Sequence, residues 1–175
     1  MQTLQTIQTL SKIGKVISKI IFICCIVGFC GCIVGIVSLS LGAPTLKLGG
    51  ITLESILQNE ADATVGTLYA EMTAGAIFCV GEGILAKFSM HYLTRELADG
   101  TPFTQDGAKE LLRLGILTIC IPIATQTLAQ IAHSILSKVL ADVAPLDLEG
   151  IGAVAVGVML IVAALLCKYG AEVKG

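Results

Sequence analysis

From Ile20 to Leu46 the chain carries no charged residue, and this run lies between Lys19 and Lys47. Its first part, residues 20–41, is long enough as a helix to cross roughly 30 Å of hydrocarbon at about 1.5 Å per residue. A secretory signal peptide would also place basic residues such as Lys12, Lys15 and Lys19 ahead of an apolar core. That core would be only about 7–15 residues, so the longer run reads as an uncleaved span. The remainder of the chain has the same character. Of 175 residues 55% are hydrophobic and 14% charged, whereas a soluble domain carries about 25% charged residues. The length fits a single four-span membrane domain over residues 1–175. A net charge of −2 offers nucleic acid no electrostatic footing.

Three more spans follow. Residues 114–137 are uncharged apart from a titratable His133, between Arg113 and Lys138; residues 150–167 form a shorter apolar run. Residues 65–87 have the right length although Glu71 and Glu82 lie inside. Basic residues set the orientation. Nine of the eleven fall in the N-terminal arm, the segment between spans two and three, and the C-terminal tail; only Lys47 and Lys138 occupy the other loops. Both termini are therefore expected in the cytoplasm, in a multi-pass protein of a cytoplasmic membrane.

Leu4, Ile7, Leu10, Ile13 and Val16 recur every three residues among polar neighbours, which predicts an N-terminal amphipathic helix on the membrane surface or continuous with the first span. Residues 45–53 alternate around Gly49-Gly50, a signal for a small extracytoplasmic β-hairpin after the first span. Residues 54–59 can form a helical turn or two beyond it. Past Lys87 the second span continues as a helix until Asp99-Gly100 stops it and Pro102 prevents resumption. Thr104 is a good N-cap for the next helix, with Asp106 in its first turn. The expected fold is an all-α membrane protein with four transmembrane helices in a bundle.

Residues 93–115, with Asp99-Gly100-Thr101-Pro102-Phe103-Thr104 and Leu112-Arg113-Leu114-Gly115 at their heart, resemble the signature of the DUF2975 family. These are small bacterial membrane proteins with four predicted helices. The resemblance implies a bacterial inner-membrane location and no established activity, and it supplies no catalytic residues. Members often accompany small helix-turn-helix regulators, which points toward regulation. On the residues themselves, the turn is first a structural device in which Phe103 plugs the gap between two helix ends. Its functional reading is a cytoplasmic docking turn made by Asp99, Gly100, Pro102, Phe103 and Thr104.

Ionisable residues inside a membrane are functional candidates by default. Glu71 and Glu82 are eleven residues apart, so they share one helix face within about 20°. On the third span Thr118, Gln126, Gln130 and His133 make a polar stripe at matching depth: Glu71 is level with Gln130 and within reach of His133, and Glu82 is expected to face the bundle interior near Thr118, within reach of Arg113. These six residues, Glu71, Glu82, Thr118, Gln126, Gln130 and His133, are the candidate intramembrane polar seam. Its plainer readings are carboxylates near the interfaces, or a seam that only glues helices together. Gly75, Gly81 and Gly83, Gly31-x-x-x-Gly35 and Ala153-x-x-x-Gly157 would allow close helix approach.

Seven cysteines form no Cys-x-x-Cys pair, and no His accompanies the cluster at Cys24, Cys25, Cys30 and Cys32; they read as small hydrophobes. No metal site, cofactor or catalytic constellation is expected, because no His-Glu-x-x-His, phosphate loop or nucleophile elbow occurs. The leading functional expectation is a non-enzymatic membrane protein acting through contacts with a membrane or cytoplasmic partner, regulatory or immunity-like, with homo-oligomers as one form of contact. The alternative is a small transporter or channel subunit that uses the carboxylate seam.

Overall fold

The computed structural model describes residues 2–41, 47–48, 51–52, 64–99, 104–140, 142–145 and 151–174. Four helices account for nearly all of them: α1 (Gln2–Ser40), α2 (Val65–Asp99), α3 (Gln105–Val139) and α4 (Ile151–Lys174). All four are long and apolar enough to cross a membrane. The expected all-α class and four spans are therefore present. The amphipathic arm is no separate helix, since α1 runs unbroken from Gln2 through the first apolar run.

The expected β-hairpin over 45–53 is not supported as an element. The described residues there form only two antiparallel pairs, Lys47 with Thr52 and Leu48 with Ile51. Two pairs fall short of an ordinary strand, which runs about 5–6 residues, and an isolated two-stranded ribbon is marginal in water. The turn expected over 54–59 lies outside the described residues.

The chain forms two compact units. One comprises Met1–Cys24, Gly81–Ile123 and Gly150–Gly175; the other comprises Cys25–Val80 and Ala124–Glu149. In the first, a β-carbon built at Gly14 of α1 would stand 3.1 Å from Leu93 Cδ1 of α2. One turn earlier, the Ser11 hydroxyl donates to Glu96 Oε1 at 3.1 Å. In the second unit Gly28, Cys32 and Gly35 of α1 meet Cys79, Gly75 and Met72 of α2, with β-carbon distances of 3.0–3.2 Å at the glycines. Four and then three residues forward on α1 are four and then three back on α2, so the strips pack antiparallel in one fixed register. Ser40 and Tyr69 hydroxyls meet at 3.3 Å at the end of this strip.

Small residues also bring α3 and α4 together in the first unit. A β-carbon at Gly115 would lie 2.8 Å from Ile161 Cγ1 and 3.2 Å from the Gly157 carbonyl, and one at Gly157 would collide with Ile119. Beside this crossing, Tyr92, Leu111, Leu114 and Ala164 form a buried cluster, with Leu93, Leu112, Leu160, Ala163 and Cys167 packed against it. Elsewhere the buried apolar residues are mainly alanines, including Ala70, Ala74, Ala86 and Ala129. Large apolar side chains such as Val27, Leu128 and Leu166 are exposed. Such inverted usage suits lipid, where helices gain nothing by hiding leucine from acyl chains and associate through close backbone approach.

The stripe of Leu10, Ile13 and Val16 is likewise exposed, whereas Ser11 and Ser18 are buried. The packing face of α1 is thus its small, weakly polar one. Gly157→Leu should lower the thermal midpoint in detergent by the equivalent of about 1–3 kcal/mol, the usual cost of overpacking. Ala155→Leu, on the exposed face of α4, should leave that midpoint unchanged.

Candidate functional site

Both intramembrane carboxylates lie on the outside of α2. Glu71 and Glu82 are exposed, and neither makes a hydrogen bond or ion pair among the described residues. The sequence expectation that Glu82 faces inward, near Thr118 and within reach of Arg113, is thereby corrected. The reason lies in the neighbouring residues. Gly81, Gly83 and Ala86 take the buried positions of that turn, and Ala70 and Ala74 take those beside Glu71. Faces selected for close helix contact have no room for a glutamate.

The third-span members of the seam are engaged elsewhere or open. Thr118 turns its hydroxyl back to the Leu114 carbonyl at 2.9 Å. Gln126 is half-buried and Gln130 exposed, and neither has a hydrogen-bond partner among the described residues. His133 does not meet Glu71; its Nε2 donates to the Ala144 carbonyl at 2.8 Å. Among the described residues, Glu82 and Thr118 do not meet in the first unit, nor do Glu71 and His133 in the second. Arg113 instead borders a groove of about 180 Å³ with Glu110, His91 and Tyr92.

What the sequence did not reveal is a hydroxyl knot in the second unit. Thr64 caps α2 by accepting from the Thr67 amide at 3.1 Å, and its hydroxyl also donates to the Asp142 carbonyl. Thr67 donates to the same carbonyl at 3.1 Å and accepts from the Ala144 amide at 3.1 Å. Asp142 adopts a left-handed conformation with φ of 58°, one that Asp tolerates better than most residues. With the His133 bond, this knot ties the segment after α3 to the start of α2. Only the Thr-x-x-Thr spacing at 64–67 gave a local sign of the cap.

At the candidate docking turn, Thr104 caps α3 as expected, accepting from the Gly107 amide at 3.0 Å. Asp99 is the last residue of α2, while Gly100, Pro102 and Phe103 lie outside the described residues. Arg95 of α2 pairs with Glu110 of α3 and approaches Asp106 at 3.8 Å, and Lys109 lies 3.5 Å from Asp106. Pairs this exposed contribute about 0–1 kcal/mol each; their effect is to fix which faces of the two helix ends meet.

Two further grooves open on the first unit. One, of about 150 Å³, lies between α3 and α4 near Lys109 and Lys168. The larger, about 580 Å³, lies between α1 and α2 and is lined by Lys15, Ile84, Lys87, Phe88, Met90 and His91. All seven cysteines are free thiols, with Cys32 and Cys79 on the α1–α2 contact. Among the described residues no three His, Cys, Asp or Glu side chains converge as metal ligands would. Compared with protein-family models, with curated proteins and with solved structures, the chain matches none.

Because Thr67 is both donor and acceptor in a buried knot, Thr67→Val should destabilise the fold by about 1–3 kcal/mol, with Thr67→Ser largely restoring it. By contrast, Glu71→Gln and Glu82→Gln should leave the thermal midpoint in detergent unchanged, since neither carboxylate has a described partner to lose.

Proposed function

We propose that the protein is a multi-pass protein of the bacterial inner membrane, with both termini in the cytoplasm, that acts through protein contacts rather than as an enzyme. The observation that carries this reading is that Glu71 in one unit and Glu82 in the other are each exposed and each without a partner among the described residues. A charged side chain at the centre of a span costs about 2.5–3.5 kcal/mol when it faces lipid, and Glu71 and Glu82, about 8 Å either side of the centre of residues 65–87, bear part of that cost. That cost is relieved at each carboxylate when another polypeptide with hydrogen-bond donors covers it. A regulatory or immunity-like role fits such a chain, whose chemistry lies in what it touches. The likeness of residues 93–115 to the DUF2975 signature supports the inner-membrane placement, and the basic residues at both termini and between α2 and α3 support the orientation.

A transport role would require the carboxylates to line a path. Neither borders any of the three grooves described above. Phe78 follows Glu71 by seven residues and precedes Glu82 by four, so it lies on the same face. A photo-crosslinking residue at Phe78 should give a protein adduct of discrete size in native membranes, and Glu71→Leu/Glu82→Leu should abolish it. Adducts with lipid alone would overturn the reading. For the orientation, single cysteines at Lys12 and Lys174 should resist an impermeant maleimide applied from outside, and ready labelling there would reverse it.

A further inference from the structure

The groove between α1 and α2 in the unit that holds both termini combines features that no part of the contact reading uses. Its floor is apolar, from Ile84, Phe88 and Met90, while Lys15, Lys87 and His91 supply basic groups. None of these three basic groups has a carboxylate or other hydrogen-bond partner among the described residues. Three acids of this unit are committed elsewhere: Glu96 accepts from Ser11, Glu110 pairs with Arg95, and Asp106 meets Arg95 and Lys109, while Glu82 lies deeper along α2 and pairs with neither lysine. The groove thus carries uncompensated positive charge over an apolar bed. At about 580 Å³ it falls within the range of small-molecule sites, about 300–1,000 Å³.

Depth orders these groups. Lys15 lies more than a helical turn ahead of the uncharged run that begins at Ile20, and Lys87 closes the second apolar stretch. Ile84 is a turn deeper than Phe88, and His91 a turn shallower, at about 5.4 Å per turn. Lys87 and Phe88 share one level of α2 and Ile84 reaches about a turn deeper, so basic groups beside an apolar strip that continues inward match the two parts of a phospholipid. A soluble anion would leave the apolar bed bare, and an uncharged lipid would leave the lysines uncompensated. We propose that this groove binds an anionic phospholipid, its phosphate held by Lys15 and Lys87 and an acyl chain lying along Ile84 and Phe88. Basic pockets between membrane helices recognise anionic headgroups in this way. The lysine-rich end of the chain then gains a specific lipid contact beyond the diffuse attraction of its charge, independently of the carboxylate face.

The full chain in detergent, titrated with phosphatidylglycerol or phosphatidylcholine and read by native mass spectrometry, tests this. A one-to-one adduct with phosphatidylglycerol and little with phosphatidylcholine is expected. Lys15→Gln/Lys87→Gln should weaken the adduct about thirtyfold, the loss expected for two interfacial lysines. Lys12→Gln/Lys19→Gln removes the same charge from exposed positions of the same arm and should hold affinity within about twofold, because no groove contact is lost. Equal retention of both lipids, or equal loss in both double variants, would overturn the site in favour of diffuse charge. Should Lys15→Gln/Lys87→Gln lose helicity or thermal midpoint, Lys15→Arg/Lys87→Arg decides: retained phosphatidylglycerol binding supports the site, and its loss in a folded protein overturns it.

Discussion

The antiparallel contact between α1 and α2 governs what the other residues can do. It is made backbone to side chain, with Gly14, Gly28 and Gly35 on one helix and Gly75 on the other, each leaving no spare room for a β-carbon. In lipid there is no hydrophobic drive to push two apolar helices together. Dispersion at close range and a few hydrogen bonds carry the association. Smallness at the contact is therefore the stabilising property, and bulk is displaced to the outside, where Ile20, Val27 and Val37 lie exposed.

The exposed carboxylates follow from the same constraint. Once Gly75, Cys79, Gly81, Gly83 and Ala86 have filled the inward positions of α2, a glutamate in that stretch has only the outer face left. Glu71 and Glu82 are thus placed by what their neighbours need. Each carboxylate is then poorly suited to lipid, and this is the ground on which a covering polypeptide is proposed. Polar groups that do stay inside are of another kind: Thr64, Thr67, Ser11 and His133 each reach a backbone carbonyl or a side-chain partner over a short distance. Short hydroxyl side chains satisfy themselves within a close contact, whereas a glutamate needs space and a counter-charge.

Near the termini the physics changes, because charged groups can reach water. Arg95, Asp106, Lys109 and Glu110 pair across the ends of α2 and α3, while Lys15 and Lys87 stay uncompensated over an apolar groove. This division follows the acids available. The described carboxylates of this unit beyond the membrane stretch lie late on α2, early on α3 and, as Glu172, late on α4, and none falls on α1.

The sequence alone determined the four spans, the helical class, the Thr104 cap and the small-residue character of the contacts. These depend on local quantities: run length, charge, hydroxyl position and side-chain size. It did not determine which small residues meet. Gly35 and Gly157 belonged to visible spacings, whereas Gly115, the partner of Gly157, was conspicuous only as part of a motif. Nor did it place the carboxylates, because a shared helix face is legible at 100° per residue but the direction of that face is not. Matching depth suggested that Glu71 meets His133 and Glu82 meets Arg113. Tertiary structure decided otherwise, since rotation of a helix about its axis is set by which of its sides can approach a neighbour most closely, and on α2 that side is glycine and alanine.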